Sequence, residues 1–549
     1  GSGNGGGTFG GVIADNNDSG SGVVALVKTG AGTQVLTAAN TFTGGTTISG
    51  GILQIGNGGN SGSISGNITN NASLVFNRDG ELTYAGIISG TGSLSKLGEG
   101  LVILSSANTL SGAVSIGAGT LKIGDVASLG SGAVTVAGGY LDLNNLNPTN
   151  AISLAGGQLL NYSNWHPANV EISGAVGSEL INNLSGDTFT VKAGADVNLS
   201  GITKDLVFQG GSVSNLGSYN GKLTVSGGTL DLSGGAPAGV VELAAGGTIN
   251  FGSGATEITK TIKYTGGTIS GSAFTGNVEV DGTVSLTSDI GAGKVVVKSG
   301  ATASIASGFS QDISFEGGTL SGLDNYSGNL SLAPSTVLSV GDTTTATITV
   351  GDGAKLKGTG TISTVVQSTG SILAPGNSPG MLNVGTLTLA GGSSMDVEFY
   401  AATGTAGSAY DAVNVSTELN LSGLTSGSKY TLNLISLSAL PNTQGSLSGF
   451  DPTQEYLYDL FTFASVTLPG SYTTSNMASL FTIDLSQFDD KDGSAVAPGT
   501  FALVFNDLGG GSGQLQLAFT PVPEPSTYGL MLGGLALAAA AVRRRRTTK

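Results

Sequence analysis

Residues Lys28 to Gly56 read KTGAGTQVLTAANTFTGGTTISGGILQIG, and residues Lys96 to Gly124 read KLGEGLVILSSANTLSGAVSIGAGTLKIG. The two stretches align without a gap, Lys28 on Lys96 through to Gly56 on Gly124, and 13 of the 29 positions are identical. The identities include Lys28/Lys96, Leu36/Leu104, Asn40/Asn108, Gly44/Gly112, Leu53/Leu121 and Ile55/Ile123, so glycine richness alone cannot produce the match. A chain that repeats itself at this scale is built from units that each contact only their neighbours, and its length stops being a guide to domain number.

A shorter beat runs from residue 150 to 370. Gly210-Gly211, Gly227-Gly228, Gly246-Gly247, Gly266-Gly267, Gly282, Gly300 and Gly317-Gly318 fall about 18 residues apart. Thr229-Leu-Asp-Leu232, Thr248-Ile-Asn-Phe251 and Thr283-Val-Ser-Leu286 follow such glycines with a period of two, the signature of a short strand with one buried face. Short strands and glycine turns in a unit of this length make one coil of a β-solenoid, in which stacking satisfies the backbone and lines a continuous apolar interior.

Composition agrees with a folded, repetitive chain. There are 94 glycines among 549 residues, 10% charged residues and no cysteine, while hydrophobic residues still reach 39%. Enough apolar surface is available for burial, and disulfides, thiolate metal sites and cysteine nucleophiles are excluded. The net charge is −16, and five of the 20 basic residues lie in the last seven positions, so no nucleic-acid partner is expected.

The two long copies resemble the autotransporter-associated β-strand repeat, whose pattern runs Lys-x-Gly-x-Gly, Leu-Ser/Thr, Asn-Thr-aromatic-Ser/Thr-Gly and Gly-x-Leu-x-Ile-Gly; Leu110 replaces the aromatic Phe42 in the second copy. The resemblance implies a right-handed parallel β-helix used in transport and surface display. The β-barrel translocator usual at the end of such proteins is not evident, since no run of long alternating strands finishes the chain.

The end of the chain carries Pro521-Val-Pro523-Glu524-Pro525-Ser526-Thr527, an apolar segment at 528–542, and Arg543, Arg544, Arg545 and Arg546. As a helix the apolar segment would span about 22 Å, short of a hydrocarbon core of roughly 30 Å. The arginines act as a cytoplasmic stop and place the rest of the chain outside. This order of motif, apolar segment and basic stop looks like the PEP-CTERM sorting signal of Gram-negative bacteria. The resemblance implies that Pro523, Glu524 and Pro525 are recognised and processed by a membrane-embedded exosortase-type enzyme during export. Residue 1 is Gly, so a signal peptide has been removed or the chain begins inside the repeats.

The expected organisation is all-β: a parallel β-helix or β-solenoid body over 1–394, a β-rich C-terminal cap over 395–520, and a sorting tail over 521–549 with a short hydrophobic helix at 528–542. The stretch 353–380 resembles the closing module that follows such repeats in large surface proteins. The cap is expected because an open solenoid end exposes pairing edges.

Catalytic residues, cofactors and metals are not expected. His166 is the sole histidine, beside Trp165 and Pro167, so a histidine triad or a two-histidine metal site cannot be assembled. Glu279 with Asp281 is the nearest local acid pair for a polysaccharide lyase or glycosidase, the enzymatic alternative on this fold. Asp489-Asp490-Lys491-Asp492-Gly493 lacks the alternating ligand spacing of a calcium loop and reads as a solvated turn. Phe208, Tyr219, Tyr264, Phe274, Phe315 and Tyr326 recur at about three-coil spacing; they read as core or corner packing, with sugar stacking as the functional alternative. The resulting expectation is a non-catalytic exported surface or matrix protein with a structural or adhesive role. An exosortase-type enzyme and, for adhesion, exopolysaccharide or cell-surface glycans are its expected partners.

Overall fold

A computed structural model describes residues 5–16, 22–163, 169–176, 188–200, 202–232, 236–251, 261–270, 276–287, 289, 293–376, 378–439, 443–489 and 501–521. The chain forms two compact units, Gly1–Gly276 and Asn277–Lys549. Both are parallel β-solenoids, and the helical content of the described residues is confined to 3-10 turns at Leu216–Ser218, Leu323–Asn325 and Met477–Leu480.

Between Ile68 and Ile123 a coil of the first unit carries three strands, one on each face, and the later coils carry two. One coil passes through Ile68–Asn70, Ser73–Arg78 and Leu82–Tyr84, and the next through Ile88–Gly90, Ser93–Leu97 and Leu101–Leu104. Each strand pairs in parallel with the strand one coil away: Ile68 with Ile88, Leu74 with Leu94 and then Val114, Leu82 with Val102 and then Leu121. Alternation sends Leu74, Leu94 and Val114 inward, where all three are buried, and leaves Ser73, Ser93 and Ser95 on the outer side. Farther along, Leu206 pairs with Leu223, which is followed one coil at a time by Val241 and Ile262, and these intervals follow the glycine beat.

The two long repeat copies sit on different faces. Leu26–Lys28 stacks on Thr46–Ile48 and so on the face of Ile68 and Ile88, whereas Ser93–Leu97 of the second copy stacks on Ser73–Arg78 and Val114–Ile116. The latter face is the one that Thr33–Leu36 and Ile52–Gly59 of the first copy occupy with their second strands. The interval from Lys28 to Lys96 is therefore three coils plus one further face. The head strand of the repeat thus finds a parallel partner on either of two faces.

In the second unit Val278 pairs with Val295, and the ladder continues through Ile313, Leu330, Ile348 and Val365 with the glycine beat maintained. The parallel ladder runs on through Met381–Ala390 and Ala412–Gly423 to Tyr456–Phe463. There the pairing changes. Tyr456–Phe463 is antiparallel to Ser512–Phe519, which forms a hairpin with Phe501–Gly509. Beneath this closure lies an aromatic cluster with ring centroids 4.9 Å apart for Phe399–Tyr458 and Phe450–Phe519 and 5.2 Å for Phe488–Phe501. The C-terminal cap is therefore β-rich, and a hairpin over an aromatic floor covers pairing edges that an abrupt end would expose. The short hydrophobic helix expected at 528–542 lies outside the described residues.

Candidate functional site

The identities shared by the two repeat copies resolve into interior devices. Lys96 occupies an inward position between Phe76 and Ile116 and is fully buried. Its ammonium donates to Leu97 O, Gly98 O and Ala118 O at 3.0, 2.7 and 3.2 Å. Lys28 makes the matching set to Thr29 O, Gly30 O and Gly50 O at 2.9, 2.8 and 2.9 Å, on a different face and in a less buried setting. Each lysine thus closes a corner by satisfying three carbonyls that the turn leaves without a ladder partner. Burial pushes the Lys96 ammonium down to about 8.

Asn108 works in the same way between coils: its Oδ1 accepts from Ile88 N at 2.7 Å and its Nδ2 donates to Ser128 O at 2.5 Å. Asn40 repeats the pattern with Ile13 N and Ser63 O, both at 2.9 Å. Phe42 and Leu110 are buried, which explains why an aromatic and an aliphatic side chain serve equally well at that position. Gly44 and Gly112 stand where the backbone of the preceding coil comes too close for a Cβ.

The recurring aromatics are structural as well. Phe208, Tyr219, Tyr264, Phe315 and Tyr326 are buried and present no ring to a sugar; Phe274 lies outside the described residues. Tyr219 and Tyr326 each follow a single 3-10 turn and reach back into the corner. The Tyr219 hydroxyl lies 2.6 Å from Lys204 O and 2.8 Å from Lys222 O, and the Tyr326 hydroxyl 3.0 Å from Gln311 O and 2.8 Å from Asn329 O, in each case sharing one proton between two carbonyls. Burial holds both phenols above their ordinary value. Tyr219→Phe and Tyr326→Phe are each expected to cost about 1–2 kcal/mol, because a buried acceptor pair loses its donor while the ring stays in place. Hydrogen exchange read by mass spectrometry should show faster exchange confined to the coils that flank each tyrosine.

Of the acid pair singled out for hydrolysis, Glu279 lies 3.7 Å from the Lys298 ammonium, which also holds Glu316 at 2.8 Å. The Glu316 hydrogen bond raises the Lys298 ammonium above its usual value. All three side chains are about a third exposed, so this is a surface charge ladder worth at most about 1 kcal/mol per pair. A cavity of about 540 Å³ lies against Gly7, Phe9, Ile13, Leu26, Lys28 and Leu53. Among the described residues its lining carries no carboxylate or imidazole, and so no pair of groups for proton transfer. Among the described residues no group of three or more His, Cys, Asp or Glu is placed to hold a metal ion. His166, Trp165 and Asp490 to Asp492 lie outside the described residues, as do Pro523, Glu524, Pro525 and the four arginines.

One functional-looking residue escaped the sequence. Asp411 is buried and its carboxylate accepts from Gly380 N at 2.6 Å and Glu398 N at 3.0 Å, tying the Pro-Gly loop before residue 381 to two strands. Burial pushes its carboxyl well above the usual range. Both partners are remote in sequence, so no local motif announces it.

Residues 26–55 and 94–123 match the passenger-associated-transport-repeat family, and residues 521–546 match the PEP-CTERM protein-sorting motif. Over 54 residues the chain is 68% identical to the adhesin BmaC autotransporter of Brucella suis biovar 1 (strain 1330). That match covers 10% of this chain and 2% of the relative, so the chain spans a small part of the length of the protein it matches.

Proposed function

We propose that this chain is a non-catalytic cell-surface or extracellular-matrix protein of a Gram-negative bacterium, whose β-solenoid serves a structural or adhesive role. The observation that carries the reading is the sorting motif at 521–546 on a chain whose body is a solenoid with passenger-associated repeats. In this reading Pro523, Glu524 and Pro525 are read by an exosortase-type enzyme at the inner membrane. The 528–542 segment anchors the chain transiently there, and Arg543 to Arg546 hold the end in the cytoplasm. The adhesive part draws on the relative, which is named an adhesin. The non-catalytic part is supported by the employment of the repeat-specific lysines, asparagines and aromatics in building coils, and by the ion pairing of Glu279.

Intact-mass analysis of protein recovered from the native envelope and medium tests delivery. The parent is expected to lose the arginine-rich tail, and a variant with Pro523→Ala, Glu524→Ala and Pro525→Ala is expected to retain it. An uncut tail in both proteins would leave a plain membrane anchor in place of a sorted one.

A further inference from the structure

We infer that the outer face of the second unit between Asn329 and Asn420 binds a neutral linear polysaccharide laid along the stacked coils. The inference deepens the adhesive reading above and rests on it. Parallel register places Asn329, Thr347, Thr364, Thr386 and Glu418 in one outward row. A second row, two positions along each strand, runs Ser331, Thr349, Val366, Thr388 and Asn420. Between the rows the chain turns Leu330, Ile348, Val365, Leu387 and Leu419 inward, all fully buried, so the two rows stand on a rigid floor.

Three properties of the rows select the ligand. The first is spacing: one coil advances by about 4.8 Å, close to the length of one pyranose in an extended chain, and the two rows are about 6.8 Å apart. A polymer lying along the rows would therefore meet an equivalent pair of side chains at each sugar. The second is hydrogen-bonding capacity. The hydroxyls of Thr347, Thr349, Thr364, Thr386 and Thr388 have no hydrogen-bond partner among the described residues, although these side chains are only half-exposed. Elsewhere in the same unit outward hydroxyls are engaged, as in Ser285 with Ser304 at 3.0 Å, and so are ends of these rows, where Asn329 donates to Asp312 and Glu418 accepts from Thr467. Each free hydroxyl can both donate and accept, as sugar hydroxyls do.

The third is charge. Glu418 is the one ionic side chain in the two rows, and the whole protein carries −16, so a polyanion is repelled while a neutral polymer is not. Threonine adds a methyl that packs on the C–H face of a sugar, and its restricted χ1 means that little side-chain entropy is lost on binding. The face offers no aromatic platform, so each sugar contributes weakly and affinity grows with the number of rungs engaged.

Affinity electrophoresis of the full chain tests this, in gels containing hydroxyethyl cellulose, glucomannan or alginate. The parent should be retarded by at least one of the two neutral polymers and not by alginate. A variant with Thr347→Val, Thr364→Val, Thr386→Val and Thr388→Val should bind at least tenfold more weakly while melting at the parent temperature. Val366 already occupies a rung of the same array, so valine fits the site. Retardation by alginate alone, by no polymer, or equally for parent and variant would overturn the inference. Adhesion of both proteins to native matrix, measured in parallel, separates the two readings. Equal adhesion removes this face and leaves the adhesive role standing, whereas no adhesion by either protein removes that role.

Discussion

Lys96→Met is expected to destabilise the first unit by about 2–4 kcal/mol, and Lys28→Met by less than about 1 kcal/mol. The two lysines occupy the same repeat position and donate to matching carbonyls, so the chemistry removed is the same. Their surroundings differ. Lys96 is fully buried between coils, so its stem and its three hydrogen bonds are lost from the interior, whereas Lys28 belongs to the first strand of its face and is half-exposed. Hydrogen exchange followed coil by coil in the full chain would report the difference, and equal protection loss in the two variants would reject the burial argument. A pH dependence accompanies it. The Lys96 value is lowered to about 8 in the folded state, against roughly 10.4 for an unfolded lysine. Between those values the unfolded chain binds the extra proton, so this residue's contribution to stability rises with pH from about 8 to about 10.4. The slope should vanish in Lys96→Met.

Gly112→Ala is expected to be at least as damaging, about 3–5 kcal/mol, because the added methyl would fall inside contact distance of Gly92 O, Gly92 C and Thr91 O. These are backbone atoms of the preceding coil and cannot swing aside as a side chain would. Gly132 stands in the same relation to Gly112 O, so the coils approach one another here through a column of glycines. Gly59→Ala is the control: nothing lies within 4 Å of its missing Cβ, and the cost should stay within about 0.5 kcal/mol. Urea unfolding, with circular dichroism for the whole chain and hydrogen exchange for the affected coils, measures both. A Gly112 variant as stable as the parent would mean that neighbouring coils can part without penalty.

The interior of the solenoid was legible because its rule is local. Alternation around Thr229-Leu-Asp-Leu232 foretold Leu230 and Leu232 as core, and both are buried. The repeat identities Leu53/Leu121 and Ile55/Ile123 prove to be four more fully buried side chains. What alignment could not give was the face on which each copy lies, since inward identities say nothing about position around the axis. The carbonyl cage of Lys96 had a signal: a lysine recurs at the head of both copies, two residues before the paired glycines Gly30 and Gly98, whose carbonyls it meets. Asp411 had none, because Gly380 and Glu398 lie on separate stretches of chain that only the fold brings together. The threonine rows were half visible as Thr347-x-Thr349 and Thr386-x-Thr388. The steps from Thr347 to Thr364 and from Thr364 to Thr386 are unequal, which hides the alignment until the register is known.

The third-of-a-turn offset between the repeat copies bears on how such a gene could change. Unequal recombination between the copies would delete or duplicate the stretch that separates Lys28 from Lys96, with matched ends. Because the head of the copy is seated on one face at Lys28 and on the next at Lys96, the rejoined segment would still find a parallel partner strand. Within the first unit, the coils downstream of the junction would swing by one face relative to those upstream. A single crossover could thus re-aim a displayed patch without altering any residue in it, and lineages could vary which side an exposed feature occupies faster than point substitution allows.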